Sequence, residues 1–478
     1  MGTFTRFIEV WWWWIDLGAT GLAVLTIPSV LVNRRGRPAS ALSWILCLLG
    51  VPLLGLFLWW TFGRRYLERR RRRKRRAHAT MSERFASLRT GLEPPPSESP
   101  GLLPLRYLPE ELQDSVFPST KENRVELFAT GARAYDAMEQ MIRGARHHIH
   151  ALFYIWNNDK SGRRFRDLLI AKAKEGVQVR VLCDAIGSPA IATKFSRRLR
   201  KAGARVARFL PPQLLSLPRI NFRNHRKILV VDGAEGVIGG FNIGDEYRDR
   251  WRDMGVRVSG PAVDQLQEIF ADDWYYATNE DLAAPEYFGC WKPVDSGAPV
   301  AVIASGPDTH ESPIHDALFI AINGTKKRLL ITTPYFIPTQ SLLSSIRAAE
   351  YRGVDVQIML PGLSDVPLVR YAARSYYPEL LAVGARIYEY QPSMLHSKVL
   401  VFDDELAVIG SANLDSRSFR LNFESSCFVG GHELSGELAA VFEADLKNCV
   451  EVRLDDLAKQ PWLTKLLDST AHLLSPLL

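Results

Sequence analysis

A histidine, a lysine two residues on and an aspartate five residues further form a short constellation that occurs twice. The first copy is His225, Lys227 and Asp232; the second is His396, Lys398 and Asp403. Each runs on into two small residues and an asparagine, Gly239-Gly240 with Asn242 and Gly410-Ser411 with Asn413. Every element of the second copy lies 171 residues after its counterpart. Repetition over so many positions suggests one site assembled from two halves, with a histidine from each. A histidine is a nucleophile or proton donor near neutral pH, and a lysine is a fixed cation. On an extended strand residues i and i+2 point to one face, so each His–Lys pair would project together. That pairing suits an anionic centre whose charge shifts during reaction, such as a phosphoryl group. The small residues would let backbone amides approach phosphate oxygens, and Asn242 and Asn413 can donate side-chain N–H groups to them.

The two aspartates complete the signature but sit where a strand is ending. Asp232 and Asp403 are expected to order a turn and hold the loop. A better orienting partner lies further on in each half: Asp253 is 28 residues after His225, and Glu424 is 28 residues after His396. A carboxylate at the same offset in both halves could accept the second imidazole N–H of its histidine, fixing the tautomer and stabilising the imidazolium. His147 and His150 have a spacing that invites a metal, yet no carboxylate or cysteine cluster accompanies them. Neither a metal nor a cofactor is expected, and the remaining histidines default to structural roles.

The elements that must position these residues repeat as well. His148 to Ile155 and Arg328 to Ile337 read as buried strands passing Tyr154 and Tyr335. A helical pattern follows each, then a Gly-Val turn into a second strand at Gly176 and Gly353, and Gly203 and Gly384 open a third. The signatures span two short apolar runs apiece, which could pair as a hairpin. Strands alternating with helices indicate an α/β fold: two tandem α/β sandwich halves, residues 105–285 and 286–478, forming one catalytic unit. At the carboxyl end Leu463, Leu466, Leu467, Leu473 and Leu474 fall mainly on one helical face, which could dock on the core or lie in a membrane interface.

The chain carries a net charge of +8 in 478 residues, and its basicity is local. Residues 64–76 hold ten of the Arg and Lys with a single Glu, so the rest is close to neutral. This argues against a nucleic-acid-binding surface and for one electrostatic device, attraction to anionic lipid headgroups. The five cysteines form no CxxC pair or zinc spacing and read as free thiols. Ahead of the basic stretch, residues 10–32 and 41–60 are each about long enough to cross the ~20-residue hydrocarbon core. Tryptophans 11–14 and 59–60 sit where an interfacial belt would place them. The expectation is a two-helix transmembrane hairpin (residues 1–62) with both ends of the chain on one side. The ten-cation tail outweighs the three arginines of the loop and assigns that side to the cytoplasm. Residues 63–104 then read as a basic juxtamembrane tail and a Pro-rich linker.

The doubled signature resembles that of the phospholipase D superfamily. Two apolar runs, a basic tail, a Pro-containing linker and two signature halves make the chain similar to the bacterial cardiolipin synthase branch. Further matches are Tyr154-Ile155-Trp156 with Asp159, Ser305-Gly306-Pro307, Thr333 to Pro338 and the closing Leu474-Ser475-Pro476-Leu477-Leu478. Gly240 departs from the Ser found in many members, whereas Ser411 keeps it. The resemblance implies a multi-pass enzyme of the bacterial plasma membrane that transfers a phosphatidyl group between two phosphatidylglycerol molecules. His225 would be the nucleophile and His396 the acid/base, with Lys227, Lys398, Asn242 and Asn413 on phosphate oxygens. Symmetry in the sequence does not itself assign those two roles. The rivals are a hydrolytic phospholipase D, which resolves the same intermediate with water, and transfer to or from another alcohol or donor lipid.

Overall fold

In the computed structural model the described residues are 2–35, 38–63, 68–89, 102, 105, 108, 116–211, 222–292, 294–308, 312–473 and 475. The Pro-rich segment 93–101, His310, Leu474 and residues 476–478 lie outside them. Contacts divide the chain into an amino-terminal unit ending at Arg73 and a large unit that begins at Lys74.

The large unit is built on one sheet that runs through both halves. Its first half contributes β1 (Thr120–Phe128), β2 (His148–Phe153), β3 (Gln178–Asp184), β4 (Arg205–Phe209), β5 (Arg223–Asn224), β6 (Ile228–Val231), β7 (Glu235–Gly239) and β8 (Gly255–Ser259). The second contributes β9 (Ala298–Ser305), β10 (Arg328–Thr332), β12 (Asp355–Pro361), β13 (Arg386–Tyr390), β14 (Val399–Phe402), β15 (Leu406–Gly410), β17 (Asn422–Gly430) and β18 (Cys449–Val452); β11 (Phe336–Ile337) pairs with β16 (Leu414–Asp415) apart from it. The order β18-β13-β12-β10-β14-β15-β17-β9-β1-β8-β7-β6-β2-β3-β4 has the two halves meeting at β9 and β1, which pair antiparallel. The two expected α/β halves are therefore joined through one continuous sheet. An apolar cluster shared by Leu127, Ile238 and Val256 with Val302, Ile409 and Val429 ties the halves together.

Within each half three outer strands are parallel and the signature strands antiparallel, with β18 added antiparallel to β13 at the edge of the second half. β2, β3 and β4 run parallel, as do β10, β12 and β13, while β6–β7 and β14–β15 are hairpins. The outer strands are parallel because helices cross between them. The four turns read from Gly-Val and Gly-Ala hold Gly176, Gly203, Gly353 and Gly384 at φ of 91°, 99°, 82° and 110°, the left-handed stop of a helix that only glycine adopts cheaply. β6 and β14, the apolar runs Ile-Leu-Val-Val and Val-Leu-Val-Phe, are buried on every residue.

The amino-terminal unit departs from the expected two-span hairpin. One helix, Trp13–Asn33, is long and apolar enough to cross a membrane. The second apolar run is interrupted at Val51 by Pro52, which cannot continue a helix hydrogen-bond ladder. It forms a helix over Pro38–Gly50, another over Pro52–Leu58 and a π-turn over Trp59–Gly63. The run doubles back on itself: a Cβ on Gly55 would lie 2.6 Å from the Cys47 carbonyl oxygen. Its end returns to its beginning, since Arg34 Nη2 donates to the Gly63 carbonyl at 3.2 Å.

The basic stretch also departs from expectation. Residues 68–89 form a helix rather than a tail leading into a linker. Lys74, Met81 and Phe85 are buried within the large unit, at the i, i+7, i+11 spacing of one helical face. The carboxyl-terminal helix, Trp462–Leu473, buries Ala471 and Asp468, Asp468 facing Arg374 at 3.5 Å. Its leucine face stays out: Trp462 is 70% exposed, Leu466 and Leu467 each 52%.

Candidate active site

The two signature histidines are brought to one place by an exchange between the halves. β5, just ahead of His225, adds in parallel to β17 of the second half, Asn422 opposite Arg223 and Phe423 opposite Asn224. The His225 N–H then donates to the Phe423 carbonyl at 2.9 Å. In the mirror arrangement Leu395 bridges Arg252, and the His396 N–H donates to the Arg252 carbonyl at 2.7 Å.

This exchange corrects the expected carboxylate pairing. His225 Nδ1 faces Glu424 at 3.0 and 3.1 Å, not Asp253. His396 Nδ1 faces Asp253 at 2.6 Å, not Glu424. The equal 28-residue offsets found the right carboxylates and the wrong partners. The reason is geometric: each histidine precedes its own hairpin, on a segment that has crossed to the edge of the other half. Glu424 and Asp253 are fully buried. An imidazole whose Nδ1–H is donated to a buried carboxylate presents Nε2 with a free lone pair, the form a nucleophile or base requires.

Burial sets the charge state. It draws the His225 imidazole down to about 4, the pull of Glu424 opposing and Lys227 adding to the fall. His396 is drawn down to about 3 by burial and Lys398, against Asp253. Burial therefore favours the neutral form of both rings. Lys398 is lowered by burial to about 8, against the pull of Asp253 and Glu424, and burial holds Lys227 well below the ordinary lysine range. Lys227 Nζ donates to the His225 carbonyl at 2.5 Å and Lys398 to that of His396, so each lysine stays beside its own histidine. Four buried groups whose cationic forms are all disfavoured make a site that an anion would stabilise.

The small residues serve a purpose other than the expected one. The amides of Gly240, Gly410 and Ser411 donate to the carbonyls of Met254, Lys398 and Ser425, within the sheet. What smallness provides is room for the carboxylates. A Cβ on Gly240 would sit 2.1 Å from Asp253 Oδ1, whereas Ser411 uses its hydroxyl to donate to Glu424 Oε2. Asn422 Nδ2 also donates to Glu424, at 3.0 Å, while Asp253 receives the N–H of Met254 at 2.8 Å. The departure of Gly240 from Ser thus accompanies a shorter carboxylate.

Asp232 and Asp403 lie away from the histidines. Asp232 accepts the N–H groups of Arg146, His147 and His148, and Asp403 those of Lys326, Lys327 and Arg328, all within 2.6–3.0 Å. Each closes its signature hairpin at left-handed φ, 55° and 52°, and clamps the start of the neighbouring strand. Asn242 is oriented by the Ile155 N–H, which its Oδ1 accepts at 3.0 Å, whereas Asn413 Oδ1 is buried with no hydrogen-bond partner among the described residues. His150 is engaged by Gln267 at 2.9 Å and Arg180 at 3.3 Å. Among the described residues no group of three or more His, Cys, Asp or Glu could hold a metal ion.

Aromatic rings frame the two imidazoles: Tyr154 edge-on to His225 at 4.8 Å, Trp251 against His396 at 5.0 Å. Trp251, Arg226 and Asn422 escaped the sequence reading as site residues, although each lies within two positions of a residue it singled out. Arg223 and Arg417 border Tyr154, and the charge of Arg417 is disfavoured by burial and by Arg223.

One sheet carrying two His–Lys half-sites, each completed by a carboxylate from the other half, defines a two-half enzyme of the phospholipase D class. The family model described as "Cardiolipin synthase, PLD-like domain" matches residues 138–274 and 318–446. The chain is 37% identical to a cardiolipin synthase of Geobacillus thermodenitrificans over 95% of its own length and 92% of that protein. To cardiolipin synthase 2 of Bacillus anthracis it is 36% identical, over 96% and 90%. Among solved structures, phosphatidylserine synthase of Haemophilus influenzae superposes with a TM-score of 0.61 at 15% identity, covering 78% of this chain and all of that one, a likeness of fold. The chain belongs to the cardiolipin synthase family.

Proposed function

We propose that the chain is a membrane-bound cardiolipin synthase that moves a phosphatidyl group from one phosphatidylglycerol to another and releases glycerol. The observation that carries this reading is the pair of neutral, carboxylate-backed histidines beside two buried lysines. In the first step His225 Nε2 attacks phosphorus; a P–N bond forms, the P–O bond to the terminal glycerol breaks, and His396 as imidazolium supplies that oxygen's proton. Burial disfavours the His396 imidazolium, so the anionic phosphodiester must offset that penalty as the ring takes up this proton. In the second step His396 removes the proton of a primary hydroxyl on a second phosphatidylglycerol. That oxygen attacks phosphorus, the P–N bond breaks, and cardiolipin leaves. Lys227, Lys398, Asn242 and Asn413 hold phosphate oxygens throughout, while Glu424 and Asp253 keep the rings aimed. Glu424, fixed by two further side-chain donors, is the more rigid support and suits the nucleophile.

Purified enzyme given phosphatidylglycerol alone should yield cardiolipin and glycerol in equal amounts by mass spectrometry. Phosphatidic acid as the main product would replace this reading with a hydrolase.

The membrane seat is the bacterial plasma membrane, with Trp13–Asn33 crossing it and the second apolar run dipping in and returning. Arg34 and Gly63 then share a face, so the loop arginines and the ten-cation stretch lie on the same side, and the positive-inside rule makes that side cytoplasmic without conflict. The catalytic residues follow on the cytoplasmic face, and the exposed leucine face of Trp462–Leu473 has the character of an interfacial helix. A tag ahead of the first helix should be labelled by an impermeant reagent in intact cells; protection would restore the two-span hairpin.

A further inference from the structure

We propose that Lys74, buried at the end of the juxtamembrane cation run, is a positioning residue for the His225–Glu424 half-site. The residue belongs to a stretch whose obvious role is attraction to anionic headgroups, yet it is only 2% exposed. Its Nζ reaches Asp272 at 2.5 Å and Asp273 at 2.9 Å, adjacent carboxylates on the helix Ala262–Thr278. Asp273 uses its other oxygen for Arg226 Nη1 at 2.7 Å and Asn224 Nδ2 at 2.8 Å. Those two residues flank His225 in the chain. Arg226 reaches across to the second half, donating from Nε to the Glu424 carbonyl at 3.0 Å and from Nη2 to the Ser305 carbonyl at 3.2 Å. A continuous run of buried polar contacts therefore leads from Lys74 through Asp273 and Arg226 to the backbone that presents Glu424 to His225.

Burial works against the charge of Lys74, and the two aspartates more than offset it, so the ammonium persists at all ordinary pH. Removing it would leave Asp272 and Asp273 adjacent, with His78, 3.5 Å from Asp272, and Arg226 as the cations beside them. Arg226 would be drawn toward both carboxylates and away from Glu424. His396 has no such line: the positions equivalent to Asn224 and Arg226 are Leu395 and Ser397, and its support is the pair Arg252–Asp445 at 2.9 Å. The inference rests on His225 being catalytic, as read above.

The test uses the full chain in lipid vesicles containing phosphatidylglycerol. Lys74→Met should lower kcat by about 10–100-fold with little change in KM, the range for removing a supporting partner of a site residue. Lys74→Arg should restore most of the rate. In histidine-labelled protein the Nδ1 proton resonance of His225 should shift in Lys74→Met while that of His396 stays in place. If Lys74→Met does not fold, Asp272→Asn gives a second reading, with a smaller fall in kcat and the same selective shift. A kcat within twofold of the parent, or equal disturbance of both resonances, overturns the proposal. Turnover surviving in His225→Ala would instead overturn the catalytic reading on which it stands.

Discussion

The two half-sites share a plan and differ in how it is held. On the His225 side the orienting group is a glutamate, fixed by Ser411 and Asn422 and backed through Arg226 by a buried ion network. On the His396 side it is an aspartate one methylene shorter, with Gly240 where the serine would be and its own neighbour's N–H as the second donor. Duplication therefore conserved the reacting groups and let their supports diverge. In the proposed mechanism one histidine bonds to phosphorus and the other moves protons; such roles call for unlike surroundings, and the supports are where the unlikeness lies.

The comparison breaks most sharply at the histidines. His225→Ala and His396→Ala should each lower turnover by about 10⁴-fold or more, with circular dichroism and membrane insertion unchanged. Equal severity is expected although the roles differ, because each step needs both. Denaturing the enzyme in mid-turnover with labelled phosphatidylglycerol should leave an acid-labile adduct on His225; an adduct on His396 would reverse the roles.

Exchanging the small residues sharpens the difference between supports. Gly240→Ser puts atoms where Asp253 sits and should cost about 10²-fold in kcat or more, in line with a displaced orienting group. Ser411→Gly removes one of several donors to Glu424 and should cost about tenfold, as for one hydrogen bond to a charged acceptor. Similar losses from both would mean the two carboxylates are held alike.

The pH profile of kcat/KM reports the groups of the free enzyme. Both imidazoles have pKa values depressed to about 4 and about 3, so their neutral forms persist above those values and are lost as pH falls through them. The acid limb should lie near pH 4 rather than at the ordinary histidine value. His396 must carry a proton in the first step, so kcat/KM falls as pH rises above that limb, and loss of the Lys398 charge above about 8 adds a second, steeper alkaline limb. Lys398→Arg should carry that limb upward. An acid limb near 6.5 would show rings more solvated than this site makes them.

The smallest effect on chemistry is expected at the signature aspartates. Asp232→Ala and Asp403→Ala each remove the acceptor of three backbone N–H groups and should cost about 1–3 kcal/mol of stability, read by denaturation, with kcat of the folded enzyme retained.

Much of this was legible in the sequence because it depends on local spacing. The doubled signature, the hairpin strands beneath it and the turn-forming aspartates all follow from residue types a few positions apart. The exchange of carboxylates was not, since it depends on β5 and β17 meeting across two hundred residues, and identical offsets in both halves suit either pairing. Lys74 was hidden for a different reason: in a run of ten cations nothing local marks it as buried. The broken second apolar run was marked, by Pro52, but its apolar length outweighed that signal.

The exchange itself is tested most directly by the imidazole Nδ1–H resonances of histidine-labelled enzyme. Glu424→Gln should abolish the low-field His225 proton and leave that of His396, and Asp253→Asn should do the reverse. If Asp253→Asn instead removes the His225 signal, each half completes its own site and the crossed arrangement is wrong.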